Sequence, residues 1–82
     1  MTLRGQQVQF PTLNAILEGL LFVADGPMSL DRLTELLPDY ERASVRLALQ
    51  ELRDNYAERG SGIHLVEVAG AWQLRTIPEL KP

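Results

Sequence analysis

At 82 residues the chain has the length of one small domain, which buries only about 60% of the surface its unfolded form exposes and leaves little depth for an enclosed catalytic cleft. Hydrophobic residues make up 45% and charged residues 23%, proportions that support a packed core and exclude a wholly disordered chain. Without cysteine there is no disulfide framework and no thiolate metal site, and a net charge of −3 opposes long-range attraction to nucleic acid unless the positive side chains gather on one face.

Residues 1–10 are mostly polar and aperiodic and are expected to form a flexible tail. From Pro11 the pattern changes. Leu13, Ile16, Leu17, Leu20, Leu21 and Ala24 recur at three and four, predicting a first helix over residues 11–24 that buries a broad stripe. Proline in its first turn and Asp25-Gly26 after it supply start and stop signals. The longest apolar run, residues 20–24, falls far short of the roughly 20 residues that span a bilayer. The N-terminus also lacks a basic-then-apolar export pattern, so a cytoplasmic protein is expected.

Gly26-Pro27 forces a turn, Met28 can lie extended, and Ser29 is placed to cap a second helix whose Leu30, Leu33, Leu36 and Leu37 line one face. Pro38 ends that helix and Asp39 is the expected cap of a third, so the link between them is two or three residues, as in a helix-turn-helix. The third helix, residues 40–59, carries Val45, Leu49, Leu52 and Tyr56 as its core stripe with Ala48 beside them. Gly60-Ser61-Gly62 closes it through a left-handed glycine.

The period then switches to two. Ile63, Leu65 and Glu67 alternate with His64, Val66 and Val68, Ala69-Gly70 offers a tight turn, and Trp72, Leu74 and Thr76 alternate with Gln73 and Arg75. A two-residue hairpin sets Leu65 opposite Leu74 and Glu67 opposite Trp72. Residues 11–78 are therefore expected to form an α+β, mainly helical, winged helix: three helices followed by a hairpin wing. Residues 79–82 read as the start of a linker.

Three stretches, residues 17–37, 49–56 and 63–76, resemble the N-terminal domain of the segregation and condensation protein B family. The likeness rests on Leu17, Glu18, Leu20, Leu21 and Phe22 in the first helix and on Pro27, Ser29 and Leu30 in the first turn. It rests most specifically on the wing phrase, residues 65–70 with Trp72, Leu74, Arg75 and Thr76. The resemblance implies a bacterial accessory subunit of a condensin-like complex, acting in chromosome partition and condensation during the cell cycle by binding the kleisin partner of a structural-maintenance-of-chromosomes ATPase. It implies two winged-helix domains, the first used for self-association as a homodimer and the second contributing strongly to kleisin binding. The likeness in this chain is to the first, and the second is expected to be absent from these 82 residues. Association with the nucleoid is then expected to come through the complex.

The alternative from the residues is a small winged-helix DNA-binding transcriptional regulator. On the third helix Arg42, Arg46 and Arg53 fall within about 40° of one another at 100° per residue, a basic flank. Glu51, Asp54 and Glu58 occupy the opposite side, and residues 62–74 of the wing contain no Lys or Arg, so phosphate contacts are few. Three such contacts give a salt slope of roughly −3. The protein-binding reading rests on apolar residues opposite the core stripes: Leu47 on the third helix, and Ala15 and Phe22 with Gly19 on the first. Trp72, next to the hairpin turn, either caps the core or anchors a partner. Catalysis is not expected. His64 is the lone histidine, the serines have no neighbouring base in sequence, and the Gly60–Gly62 loop runs from helix to strand, the reverse of a phosphate-binding loop. No cofactor, metal or membrane partner is implied.

Overall fold

The computed structural model describes residues 12–78. Helix α1 spans Leu13–Val23, α2 spans Leu30–Leu36 and α3 spans Arg42–Glu58. Strands β1, β2 and β3 are Met28–Ser29, Ile63–Val68 and Ala71–Thr76. The expected winged helix is present, with one addition. The hairpin is widened by β1, which pairs antiparallel with β3 through Met28 opposite Trp72 and Ser29 opposite Ala71. The sheet order is β1-β3-β2. Two residues are too few for an alternating pattern, so only the extended conformation of Met28 was readable.

The helix starts follow from side-chain caps where these form. Thr12 Oγ1 accepts a hydrogen bond from the Ala15 amide at 3.2 Å, starting α1 one residue after Thr12; the expected start at Pro11 lies outside the described residues. Ser29 Oγ accepts from the Arg32 amide at 3.0 Å, as its place before the leucine stripe predicts. The expected cap at Asp39 is not made. The Tyr40 amide donates to the Leu37 carbonyl at 3.0 Å, which closes a turn after α2 and leaves Asp39 exposed within it. Glu41 takes the N-cap position of α3 without a side-chain bond, so the link between the two helices is residues 37–41.

Leu17, Leu21, Leu33, Leu37, Val45, Ala48, Leu49, Leu52, Tyr56, Leu65 and Trp72 form one buried cluster. Each helix and both long strands contribute, so burial couples all of them. Leu36 departs from its expected place: it sits at the edge of the α2 stripe and is exposed. The hairpin register is as expected, with Leu65 opposite Leu74 and Glu67 opposite Trp72. Its turn uses two left-handed residues, Ala69 at φ 53° and Gly70 at φ 80°, the backbone twist that matches two-residue hairpins. Gly60, at φ 64°, ends α3 as its left-handed freedom allows.

Candidate protein-interaction surface

Because Leu17 and Leu21 turn α1 inward, its opposite face must look outward, and Ala15, Gly19 and Phe22 share that face. Phe22 is 74% exposed and Val23 beside it 72%. The two adjacent side chains make an outward apolar patch at the end of α1. Nothing lies within 4 Å of a Cβ placed on Gly19, so the helix backbone there is open to close approach.

Three shallow grooves run along this face. The first, about 420 Å³ between α1 and α3, is polar: Asn14, Ala15 and Glu18 face Glu51, Asn55 and Arg59. Asn14 Nδ2 donates to Glu51 Oε1 at 3.4 Å across it. The second, about 290 Å³, continues from Ala15, Glu18 and Arg59 to Gly19, Phe22, Ile63 and Leu74. The third, about 230 Å³, lies on the far side of Phe22 against Ala24, Ile63, Leu74 and Thr76. Phe22 thus stands as a ridge between two depressions that share the apolar Ile63 and Leu74.

Two charged side chains in the second groove are held in place from within the domain. The Tyr56 hydroxyl donates to Glu18 Oε2, and the Arg59 guanidinium sits 5.0 Å from the centroid of the Tyr56 ring. Burial pushes the Tyr56 hydroxyl up to about 12, helped by its hydrogen bond to Glu18 and the charge of that carboxylate, while Arg59 pulls the other way. No spacing rule links Glu18 to Tyr56, which lie 38 residues apart. Sequence reading missed this cluster, as it did the exposed Val23, Ile63 and Val68.

The remaining expected positions separate. Leu47 is 57% exposed on α3, outside the three grooves. Trp72 is only 2% exposed and belongs to the core cluster; of the two roles open to it, capping the core is the one the fold uses, and as a partner anchor it is corrected. The pairing register explains this, since Trp72 shares a sheet face with the inward Leu74 and stands between Glu67 and Met28. The arginine strip is largely occupied internally: Arg42 pairs with Asp31 of α2 and Arg53 with Asp54 at 3.3 Å. Arg46 has no ion pair among the described residues. His64 is exposed on β2 opposite Arg75. Among the described residues no three His, Asp or Glu side chains gather where they could hold a metal ion, and no helix is long and apolar enough to cross a membrane.

The family model of the segregation and condensation complex subunit ScpB matches residues 15–82. The chain belongs to this family. It is 48% identical over 67 residues to segregation and condensation protein B of Syntrophotalea carbinolica, covering 82% of this chain and 34% of that protein. It is 42% identical over 71 residues to the protein of the same name from Halalkalibacterium halodurans, covering 85% and 36%. The chain therefore spans about a third of the length of the curated relatives it matches. Two solved ScpB structures are similar. One is a dimer of the ScpB N-terminal domain complexed with a ScpA peptide, with a TM-score of 0.72 and 31% identity over 80% of this chain and 82% of that one. The other, ScpB from Mycobacterium tuberculosis, has a TM-score of 0.74 and 31% identity over 82% of this chain and 41% of that one. The first matches along most of both chains, so the ScpB likeness lies at the level of the N-terminal domain.

Proposed function

We propose that this chain is a non-catalytic interaction domain of the chromosome segregation and condensation machinery, one that associates with itself and with a ScpA kleisin segment. Through ScpA it serves a structural-maintenance-of-chromosomes ATPase, in the cytoplasm and at the nucleoid. The observation that carries this reading is the whole-domain likeness to a ScpB N-terminal domain that is dimeric and holds a ScpA peptide. The outward Phe22 face supports it physically, because an apolar ridge flanked by grooves suits a polypeptide partner. Ala15, Gly19 and Phe22 are the residues proposed to meet protein on α1, and Leu47 a separate apolar contact on α3. A second winged-helix domain in the complete subunit would add to kleisin affinity.

The DNA-regulator reading has less support: two of the three arginines of the strip are engaged by carboxylates, and the wing is without positive charge from Gly62 to Leu74. Isothermal titration of the chain with a synthetic ScpA peptide, alongside gel shift of labelled duplex at about 50 mM salt, where phosphate contacts are strong, separates the two. Heat of binding to the peptide and an unshifted duplex are expected. A duplex shift abolished by Arg46→Ala, with no response to the peptide, would overturn the proposal.

A further inference from the structure

The hairpin leaves one long strand with an open side. The sheet order is β1-β3-β2, so β2 has a partner on one flank only, and along an antiparallel ladder hydrogen-bonded pairs alternate with unbonded ones. The Ile77 amide donates to the Gly62 carbonyl at 3.0 Å, which sets the phase. His64, Val66 and Val68 turn their main-chain groups towards β3, whereas Ile63, Leu65 and Glu67 turn theirs to the open side. Ser61 Oγ accepts from the Ile63 amide at 3.1 Å. Among the described residues the amides and carbonyls of Leu65 and Glu67 have no partner there. Lysine, proline or a bulge ordinarily blunts such an edge, and residues 63–68 contain none of them.

The two sides of this strand differ in chemistry. Leu65 and Glu67 lie on the helix side. On the outer side His64, Val66 and Val68 continue into their pairing partners on β3, Arg75, Gln73 and Ala71, and that side carries no carboxylate. Arg75 Nε donates to Gln73 Oε1 at 3.0 Å, which steadies the guanidinium along the sheet, while its terminal nitrogens form no ion pair among the described residues. A depression of about 350 Å³ opens between His64, Val66, Arg75, Thr76 and Pro78. An apolar floor thus lies beside an imidazole and an unpaired cation, both able to donate hydrogen bonds.

We propose that β2 receives an extended, acidic segment of another protein, which pairs antiparallel with Leu65 and Glu67 and adds a strand to the sheet. A carboxylate opposite His64 reaches Arg75 across the depression, and a β-branched side chain two positions away packs on Val66. Main-chain bonds supply affinity, and the alternation of acidic and apolar side chains supplies specificity. A second copy of β2 fits less well, because it brings His64, Val66 and Val68 to the outer side and no carboxylate. This partner is additional to those named under the proposed function, and neither of them is needed for it to bind.

A short synthetic peptide of threonines, with glutamate, valine and glutamate at alternate positions, is the probe, titrated into the chain and followed by amide NMR. At saturation the Leu65 and Glu67 amides should shift and exchange with solvent at least about tenfold more slowly, while those of His64 and Val66, already bonded to β3, change little. Two altered peptides leave the chain untouched and so separate binding from folding. One is N-methylated on the amides that face β2, and the other carries lysine in place of glutamate. Each should bind about tenfold more weakly or worse. Arg75→Glu should reverse the charge preference and favour the lysine peptide, with a circular dichroism melt to check its fold. Unchanged exchange at Leu65 and Glu67, or either altered peptide binding as well as the first, would overturn the proposal. So would Leu65 and Glu67 signals that move when the chain alone is concentrated and no further when peptide is added, since the edge would then belong to a second copy.

Discussion

Tyr56 shows what a single side chain can carry here. It belongs to the core, yet its hydroxyl reaches the groove to hold Glu18, so one residue ties packing to the surface. Its hydroxyl titrates near 12 in the fold against an ordinary value of 10.0. Between those two values the unfolded chain gives up the proton while the folded chain keeps it. The unfolded state then binds fewer protons, and stability falls as pH rises. The contribution is fully present below pH 10.0 and is lost by about pH 12. Urea midpoints measured across that window should fall steeply for the parent and more gently for Tyr56→Phe, which has no proton to lose. Equal slopes would show that the hydroxyl is not buried as described. Ala69 is the other informative residue. An alanine at φ 53° pays roughly 1–2 kcal/mol for a left-handed backbone, whereas asparagine suits the first position of such a turn. Ala69→Asn should therefore stabilise the domain by about 1 kcal/mol in thermal unfolding, leaving the hairpin register unchanged.

At the level of elements, what the sequence made readable is what local chemistry decides. The spacing of Leu17 and Leu21, of Val45, Leu49 and Leu52, and of Leu65 fixed the inward faces correctly. Ser29 announced the start of α2. Ser29→Ala removes the acceptor for the Arg32 amide and should cost about 1 kcal/mol, a loss that Ser29→Asp should not show; circular dichroism melts distinguish them. The places where sequence and structure differ have tertiary causes. Asp39 is a good cap in isolation, but the Leu37–Tyr40 hydrogen bond closes the turn around it. Leu36 fits the α2 stripe, but α2 is seven residues long and its packing is filled by Leu33 and Leu37. Trp72 was ambiguous because a strand residue near a turn can face either way until its partners are known, and β1 supplied one of them. The candidate surface was half legible. Helical spacing exposed Ala15, Gly19, Phe22 and Leu47, whereas Glu18, Tyr56 and Arg59 meet only because α1 packs beside the end of α3.

For the whole molecule, small size is the governing constraint. A domain of this length has limited stability of its own, and covering the Phe22 ridge by a second copy adds stability that depends on concentration, since mass action favours the associated folded state over the unfolded chain. In a chain that stays monomeric, Phe22→Ser alters a solvated side chain and moves stability by no more than about 0.5 kcal/mol. In a chain that pairs through that ridge, it removes the part of the stability that grows with concentration. Calorimetric melts of the parent over a hundredfold concentration range should therefore show the melting temperature climbing by several degrees, because about 1 kcal/mol moves the midpoint of a domain this small by roughly 4–8 °C. Phe22→Ser should give a flat line that meets the parent curve at the dilute end. A parent curve as flat as that of the variant would mean that the ridge stays in water, and that the domain draws its stability from its own core alone.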